Sequence, residues 1–450
     1  MLRQVGEERA VIRDLGDGLV LRTAGVADIE AVAAFNSLVH LDPRSEEARD
    51  EGVGVWTRDL MSGKHPTTGA SDFLVVENTA TGEIVSSMNL ISQKWTYAGI
   101  EFGVGRPEAV GTAPEYRRRG LVRAQFDVVH AWSAERGELL QIITGIPWYY
   151  RQFGYEMGLS LGGGRSGYSP ALPKLKEGEQ EPYALRPAED ADIPFMGQMY
   201  EQATKHSLVA CVMDDETWRY YLHGLSEKNF TARNWTIIQT PQGEPVGLFG
   251  YGSNLWGTAV SSVFYEVRKD VPWTAVTPSV LRFLWAKGQE IGKRANKEPD
   301  HFNFHLGTEH PVYEALGRSL PTGYEPYAFY VRVPDVPGFL QHIKPALERR
   351  IEQSVVAGYT GEVKFHFYTD GIRLGMENGQ ITSIESWKPD YPNDGDAAFP
   401  DLTFLQILFG YRSLEELQHG FADCWTNNDT TRALLNVLFP KQNSHVWPLE

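Results

Sequence analysis

The sequence predicts a mixed α/β (α+β) fold: two tandem copies of one mixed-sheet unit, followed by a third unit of α+β type. Three observations predict it. At 450 residues the chain is too long for one ordinary core and corresponds to about three domains. Two stretches rich in Gly, Pro and charge, Gly162–Pro182 and Val331–Gly338, read as connections and divide the chain into residues 1–168, 180–332 and 333–450. Finally, GLVLRTAGVADIEAV aligns without a gap with PYALRPAEDADIPFM. Leu21-Arg22, Ala24 and Ala27-Asp28-Ile29 fall opposite Leu185-Arg186, Ala188 and Ala191-Asp192-Ile193. Tyr150-Arg-Gln-Phe-Gly154 also falls opposite Tyr313-Glu-Ala-Leu-Gly317 at nearly the same offset.

Each element follows from its pattern. A short strand at Val20 precedes an acidic helix start at Asp28, and an amphipathic helix runs to Val39. FLVVEN and IVSSMNLIS are strands joined by a turn containing Thr81-Gly82. Another strand enters VGTAP. After it, Val122, Phe126, Val129 and Trp132 recur at helical spacing. LLQIIT, from Leu139, is a continuous apolar run and predicts a buried strand. YEMGLSL is a last strand, and Gly162-Gly163-Gly164 reads as a hinge in the connection. The last third differs. VKFHFYTDGIRLGMENGQITSIES predicts three strands joined by Asp370-Gly371 and Asn378-Gly379, both hairpin signals. Helical patterns flank it, which is an antiparallel sheet covered by helices.

Composition excludes several classes of function. Aromatic content of 12% and hydrophobic content of 42% fit a folded chain. No apolar run approaches the roughly 18 residues needed to span a membrane, and the N-terminus has no apolar signal core. Cys211 and Cys424 are the only cysteines, far apart, which fits a reducing cytoplasm and argues against a disulfide scaffold. A net charge of -16 disfavours nucleic acid and favours a cationic partner. The 12 histidines show no metal-ligand spacing; His301 and His305 lie four apart in a strand pattern and read as core or surface residues.

Against that acidic background, Arg117-Arg118-Arg119-Gly120 stands between a strand and a helix. A helix start carries unpaired N–H groups and partial positive charge, so it accepts phosphate, and arginines add to this. The same residues also fit a basic helix start on a surface loop, at a cost of a few tenths of a kcal/mol per opposed charge. No GxxxxGK[ST], dinucleotide fingerprint or GxSxG is present.

The stretch Thr112–Gly120 resembles motif A of the GNAT N-acetyltransferase superfamily, [R/Q]-x-x-G-x-[G/A]. Here it reads Arg117-Arg118-Arg119-Gly120-Leu121-Val122, with Val at the last position where Gly or Ala is usual. APEYRRRGLVRA (Ala113 to Ala124), the aromatic turn Tyr150-Arg-Gln-Phe-Gly-Tyr155 and the three-part layout together resemble the enhanced intracellular survival (Eis) family. That resemblance spans nearly the whole chain. It implies two GNAT-type domains, the second without the arginine turn and degenerate, then a sterol-carrier-protein-like domain whose tail lies near the active site.

The resemblance further implies an acetyl-CoA-dependent N-acetyltransferase acting on a primary amine by direct transfer. Candidate acceptors are an aminoglycoside, a polyamine or another cationic small molecule. The pyrophosphate of acetyl-CoA, a co-substrate, is expected on the backbone of Arg117 to Val122, including Gly120 and Leu121, with Arg117 and Arg118 holding phosphate oxygens. The pantetheine arm is expected along Val110 and Thr112. Tyr150 is the implied acid, with Tyr149 its neighbour and rival. The terminal Glu450 is the implied base, with Glu101 and Glu108 as alternatives. Tyr313 is expected to be a structural remnant. A homo-oligomer, trimer or hexamer, is the expected assembly, with no metal, no nucleic acid and no membrane. Two other functions fit the same residues. One is a protein that binds CoA or an apolar ligand without turnover, the latter among Phe404, Leu405, Ile407, Leu408 and Phe409. The other is an acetyltransferase acting on a protein lysine or N-terminus.

Overall fold

The computed structural model describes residues 10–44, 47–391, 393–444 and Val446. In the first third, β1 (Val11–Gly16) and β2 (Leu19–Thr23) lead to helices α1 (Ile29–Val39) and α2 (Glu51–Met61). Then come β3 (Phe73–Asn78), the long hairpin β4 (Glu83–Tyr97) and β5 (Ile100–Thr112), α3 (Leu121–Glu135), β6 (Leu140–Ile143) and β7 (Glu156–Leu161). In the second third, β8 (Gly164–Tyr168) and β9 (Ala184–Pro187) precede α4 (Ile193–Thr204), β10 (Val209–Cys211) and α5 (Asp215–Arg219). Strands β11 (Arg233–Gln239), β12 (Pro245–Gly252) and β13 (Ala259–Val267) follow, then α6 (Trp273–Ala295), β14 (His301–Phe304), α7 (Pro311–Leu316), β15 (Thr322–Tyr324) and β16 (Tyr327–Arg332).

The repeat read from the sequence is a repeated clamp. Arg22 makes two hydrogen bonds to the Asp28 carboxylate, and Asp28 accepts the Gly25 N–H at the helix start. Arg186 does the same to Asp192, which accepts the Glu189 N–H. In each unit a strand arginine thus fixes the chain as it turns into its first helix. The Arg22–Asp28 pair is almost fully buried, where paired geometry is what makes a charge tolerable.

The two units exchange strands. The first sheet runs β1-β2-β3-β4-β5-β6-β16-β7, so β16 from the second segment lies between β6 and β7. The second sheet runs β15-β8-β14-β13-β12-β11-β9, so β8 from the first segment lies between β14 and β15. β10 adds a further strand to the first sheet along Trp95–Tyr97. The boundaries drawn at 168 and 332 therefore do not coincide with the sheets, and Gly162–Gly164 is a crossing between sheets rather than a hinge in a free connection. The physical reason is that strand pairing is non-local: RSGY carries a strand's pattern but not the address of its partner. At Gly164 a β-carbon would stand 2.0 Å from the Phe304 carbonyl oxygen, so only glycine passes there.

The third unit holds α8 (Val336–Glu352), β17 (Gly361–His366), β18 (Gly371–Glu377), β19 (Gln380–Trp387), β20 (Ala397–Ala398), α9 (Phe404–Leu408), α10 (Leu414–Gly420), β21 (Trp425–Thr426) and α11 (Asp429–Leu438). Its sheet order is β19-β18-β17-β20-β21. Asn378 and Gly379, both at positive φ, make the tight turn the sequence predicts; Asp370-Gly371 closes a longer loop. This unit covers one face of the first sheet. Phe339, Leu340 and Leu408 join Val104, Ile142 and Val331 in one core cluster. Phe404, Leu405, Ile407, Leu408 and Phe409 all belong to that core and are buried. The opposite face of the sheet packs against α3 through Leu121, Phe126 and Val129.

Candidate active site

β5 and β6 are parallel and pair only at Val104–Leu140 and Gly105–Gln141. Beyond Gly105 the strands part, and β5 keeps its ladder to β4 on one side alone. A bulge assists the parting. The register slips between Ser87 and Asn89, and Ala109 takes φ 50°. Bulges bend a strand and re-aim its backbone groups, and they recur beside active sites. The result is a cleft of about 990 Å³.

One end of the cleft is the turn into α3. Arg118 (φ 63°) and Gly120 (φ 78°) are both left-handed, the kind of backbone from which anion-binding concavities are built. Gly120 is the N-cap and offers no side chain, so the first N–H groups of α3 stay available. Arg117 donates to the Thr112 carbonyl at 3.2 Å. Arg119 turns away to Asp17, at 2.8 Å, and over the Tyr116 ring. Arg118 has no ion-pair partner among the described residues, and Arg123 lies over the Phe153 ring.

The other end is the aromatic turn. Tyr150 is 5% exposed and packs edge-on against Tyr149, Tyr330 and Phe126. Burial raises its pKa above the ordinary phenol range, and the charge of Glu108 and the neighbouring tyrosines add to this. Tyr149 is also raised, first by burial. Tyr330 holds the turn: its hydroxyl accepts the Trp148 N–H at 2.6 Å, with Trp148 itself at φ 68°. Tyr330 belongs to β16, some 180 residues further along the sequence.

Between the ends, Glu108 sits 2.8 Å from buried Arg106, and both line the cleft. His40 lines it from the end of α1, its Nδ1 3.0 Å from the Asn36 carbonyl; burial lowers its pKa. The aromatic wall is Trp56 of α2 and Phe230 of the second unit, rings 5.3 Å apart.

The sequence-predicted residues distribute as follows. Val110, Thr112, Arg117 and Arg118 line this cleft, as do Gly120, Leu121, Val122 and Tyr150. Glu108 lines it too, but Glu101 does not: it pairs with Thr96 near the β4–β5 turn, where its carbonyl accepts from His342 of α8. Glu450 lies outside the described residues. The described tail docks at that same far end of β4, where Leu208 N–H donates to the Asn443 carbonyl and Val209 N–H to Ser444. Sequence reasoning missed α2 with Trp56, the bulge at Ala109, Phe230 and Tyr330. GVGVWTRDLM after Asp50 carries a helix start that could have revealed α2, since Asp50 accepts the Val53 N–H as its cap. Nothing local marks the other three.

Residues 21–158 match the family described as "Acetyltransferase (GNAT) domain". No curated protein is significantly similar in sequence. Among solved structures, a probable N-acyltransferase from Enterococcus faecalis V583 superposes with a TM-score of 0.66 at 12% identity, covering 96% of this chain and 99% of that one. A GCN5-related N-acetyltransferase from Anabaena variabilis gives 0.64 at 14% identity, covering 95% and 99%. Eis1 from Mycobacterium abscessus gives 0.59 at 13%, covering 95% and 99%. These superpositions establish a shared fold across almost the whole chain. With the splayed strands, the left-handed turn into α3 and the buried tyrosine all falling in or beside the matched segment, the chain carries an acetyltransferase (GNAT) domain over residues 21–158 within a fold shared with Eis1.

Proposed function

We propose that the chain transfers the acetyl group of acetyl-CoA directly to the primary amine of a small cationic molecule. The observation that carries this reading is that an anion-binding helix start and a buried, protonated tyrosine share one cleft. In this reading the pyrophosphate rests on the N–H groups of Gly120, Leu121 and Val122, with charge from Arg117 and Arg118. The pantetheine arm pairs like an added strand with the open edge of β5 at Val110 and Thr112.

The amine nitrogen attacks the thioester carbonyl carbon. A C–N bond forms, the C–S bond breaks, the nitrogen loses a proton and the sulfur leaves as a thiolate that needs one. The raised pKa of Tyr150 supports it as the donor to sulfur, because the phenol keeps its proton at neutral pH. Glu108 is the base this reading favours: it lines the cleft, and its charge is felt at Tyr150. Glu450 remains the base implied by the family resemblance. Two buried cysteines outside any disulfide, Cys211 and Cys424, fit the reducing cytoplasm of this reading, in which the chain works as a homo-oligomer.

The test is acetyl-CoA turnover, read as free thiol, with spermidine, an aminoglycoside and a lysine-containing peptide. Wild type is expected to release thiol with a small-molecule amine. Glu108→Gln is expected to lower kcat about 100-fold with the KM for acetyl-CoA unchanged. Saturable CoA binding with no thiol release from any amine rejects the proposal. Full activity in Glu108→Gln moves the base elsewhere.

A further inference from the structure

The second unit sends one segment back to the cleft. Residues 226–230 lie along α2 of the first unit. Ser226 donates both its N–H and its hydroxyl to the Asp59 carboxylate, at 2.9 and 2.6 Å, and Asn229 Nδ2 donates to it at 2.7 Å. Lys228 pairs with Glu51 at the start of α2, at 3.1 Å. Phe230 then stands edge-on to Trp56 and lines the cleft. Its partner Trp56 is 5% exposed, yet Phe230 is 47% exposed, so the tryptophan is packed and the phenylalanine faces solvent in the cleft mouth.

The exposed ring of this strap points to a ligand's charge. An exposed phenyl ring presents a negative π-face, which attracts an ammonium group. The segment that carries it is anchored by Asp59, 7% exposed, which accepts from Ser226 and Asn229. An exposed aromatic face, paired with Trp56 at the cleft wall, is more attractive to an ammonium group than to an anion.

We infer that Phe230, carried by the second unit and held down through Asp59, is the residue that selects the acceptor, taking an aliphatic ammonium group of a polyamine-like molecule on its ring face. This rests on the transferase reading for the word acceptor, but the binding site itself does not. It also gives the second unit, which has no arginine turn, a part in the reaction.

The experiment is equilibrium binding of spermidine to the full chain saturated with CoA, in wild type, Phe230→Leu and Phe230→Trp. Leucine keeps apolar bulk and removes the π-face; tryptophan keeps it. The Phe230→Leu variant is expected to bind spermidine about two- to five-fold more weakly, and Phe230→Trp as well as wild type or better. CoA affinity, measured in parallel, is expected to be the same in all three, which also reports that each is folded. Equal spermidine affinity in Phe230→Leu, or no spermidine binding to wild type, overturns the inference. Spermidine binding that follows the expected order with no acetyl transfer to any amine upholds the site and rejects the transferase mechanism instead.

Discussion

In the first unit β5 and β6 part after Gly105, and the space between them stays open. In the second unit β13 and β14 are also parallel and also part, after Ser262. There the space is filled. Trp273, the first residue of α6, packs against Tyr265 at 4.7 Å and His310 at 5.3 Å, and His310 lies 3.0 Å from the Tyr265 carbonyl. α6 is preceded by Pro272 in an extended conformation, not by a left-handed glycine, so no nest of N–H groups forms. Tyr313, opposite Tyr150 in the repeat, spends its hydroxyl on the carbonyl of Gly307 at 2.8 Å. One scaffold thus supports either a ligand cleft or a packed aromatic core. The choice is made by a few residues at the helix start, while the clamps Arg22–Asp28 and Arg186–Asp192 are the same in both.

The largest expected effect breaks the comparison at its root, the strand exchange. Gly164→Ala pushes a β-carbon into the Phe304 carbonyl and should cost about 3 kcal/mol or more, seen as lost soluble protein or a collapsed melting transition. Gly178→Ala, in an exposed turn of the same stretch with nothing near its β-position, should cost about 1 kcal/mol. Equal tolerance at both positions would mean that the whole stretch is a free connection. Next in size is the tyrosine pair. Tyr150→Phe should lower kcat about 100-fold with CoA affinity retained. Tyr313→Phe should leave turnover intact and cost about 1 kcal/mol of stability for its lost hydrogen bond. A turnover loss in Tyr313→Phe would make the second unit more than a scaffold.

The last effect, spread over a range of pH, concerns Glu266 on β13. Burial raises its pKa to about 7, although Gln202 donates to it at 2.6 Å. The folded chain therefore holds a proton there that the unfolded chain has released above its ordinary value of 4.5. Stability attributable to this group is present below that value, falls as pH rises toward 7 and is level above it. Melting temperatures of wild type should carry this slope between about pH 5 and 7, and Glu266→Gln should flatten it. The same slope in both proteins would assign it to other groups.

Much of the site was legible in the sequence because its signals are local. Arg117 to Val122 announce a helix start by residue type and spacing, and Tyr150 lies in a compact aromatic motif. The three-part layout was legible for the same reason, since the repeat and the Asn-Gly turn are short-range patterns. What stayed hidden depends on partners far away in the chain. RSGY and YAFYVR each alternate as any strand does, and nothing in either says that they trade sheets. Phe230 and Tyr330 reach the cleft only through that tertiary arrangement. The bulge at Ala109 arises from a register mismatch between two strands, which neither strand shows alone.

The exchanged strands also set an order of events during synthesis. On the ribosome, β6 and β7 emerge with the gap between them empty, and β16 follows Leu161 by roughly 170 residues, about 10–30 s at ordinary translation speed. Through that interval both strands carry an unpaired edge, and Trp148 lacks the hydroxyl that holds its backbone. The aromatic turn is completed only after most of the second unit has been made, and until then the open strand edges are exposed to wrong pairing.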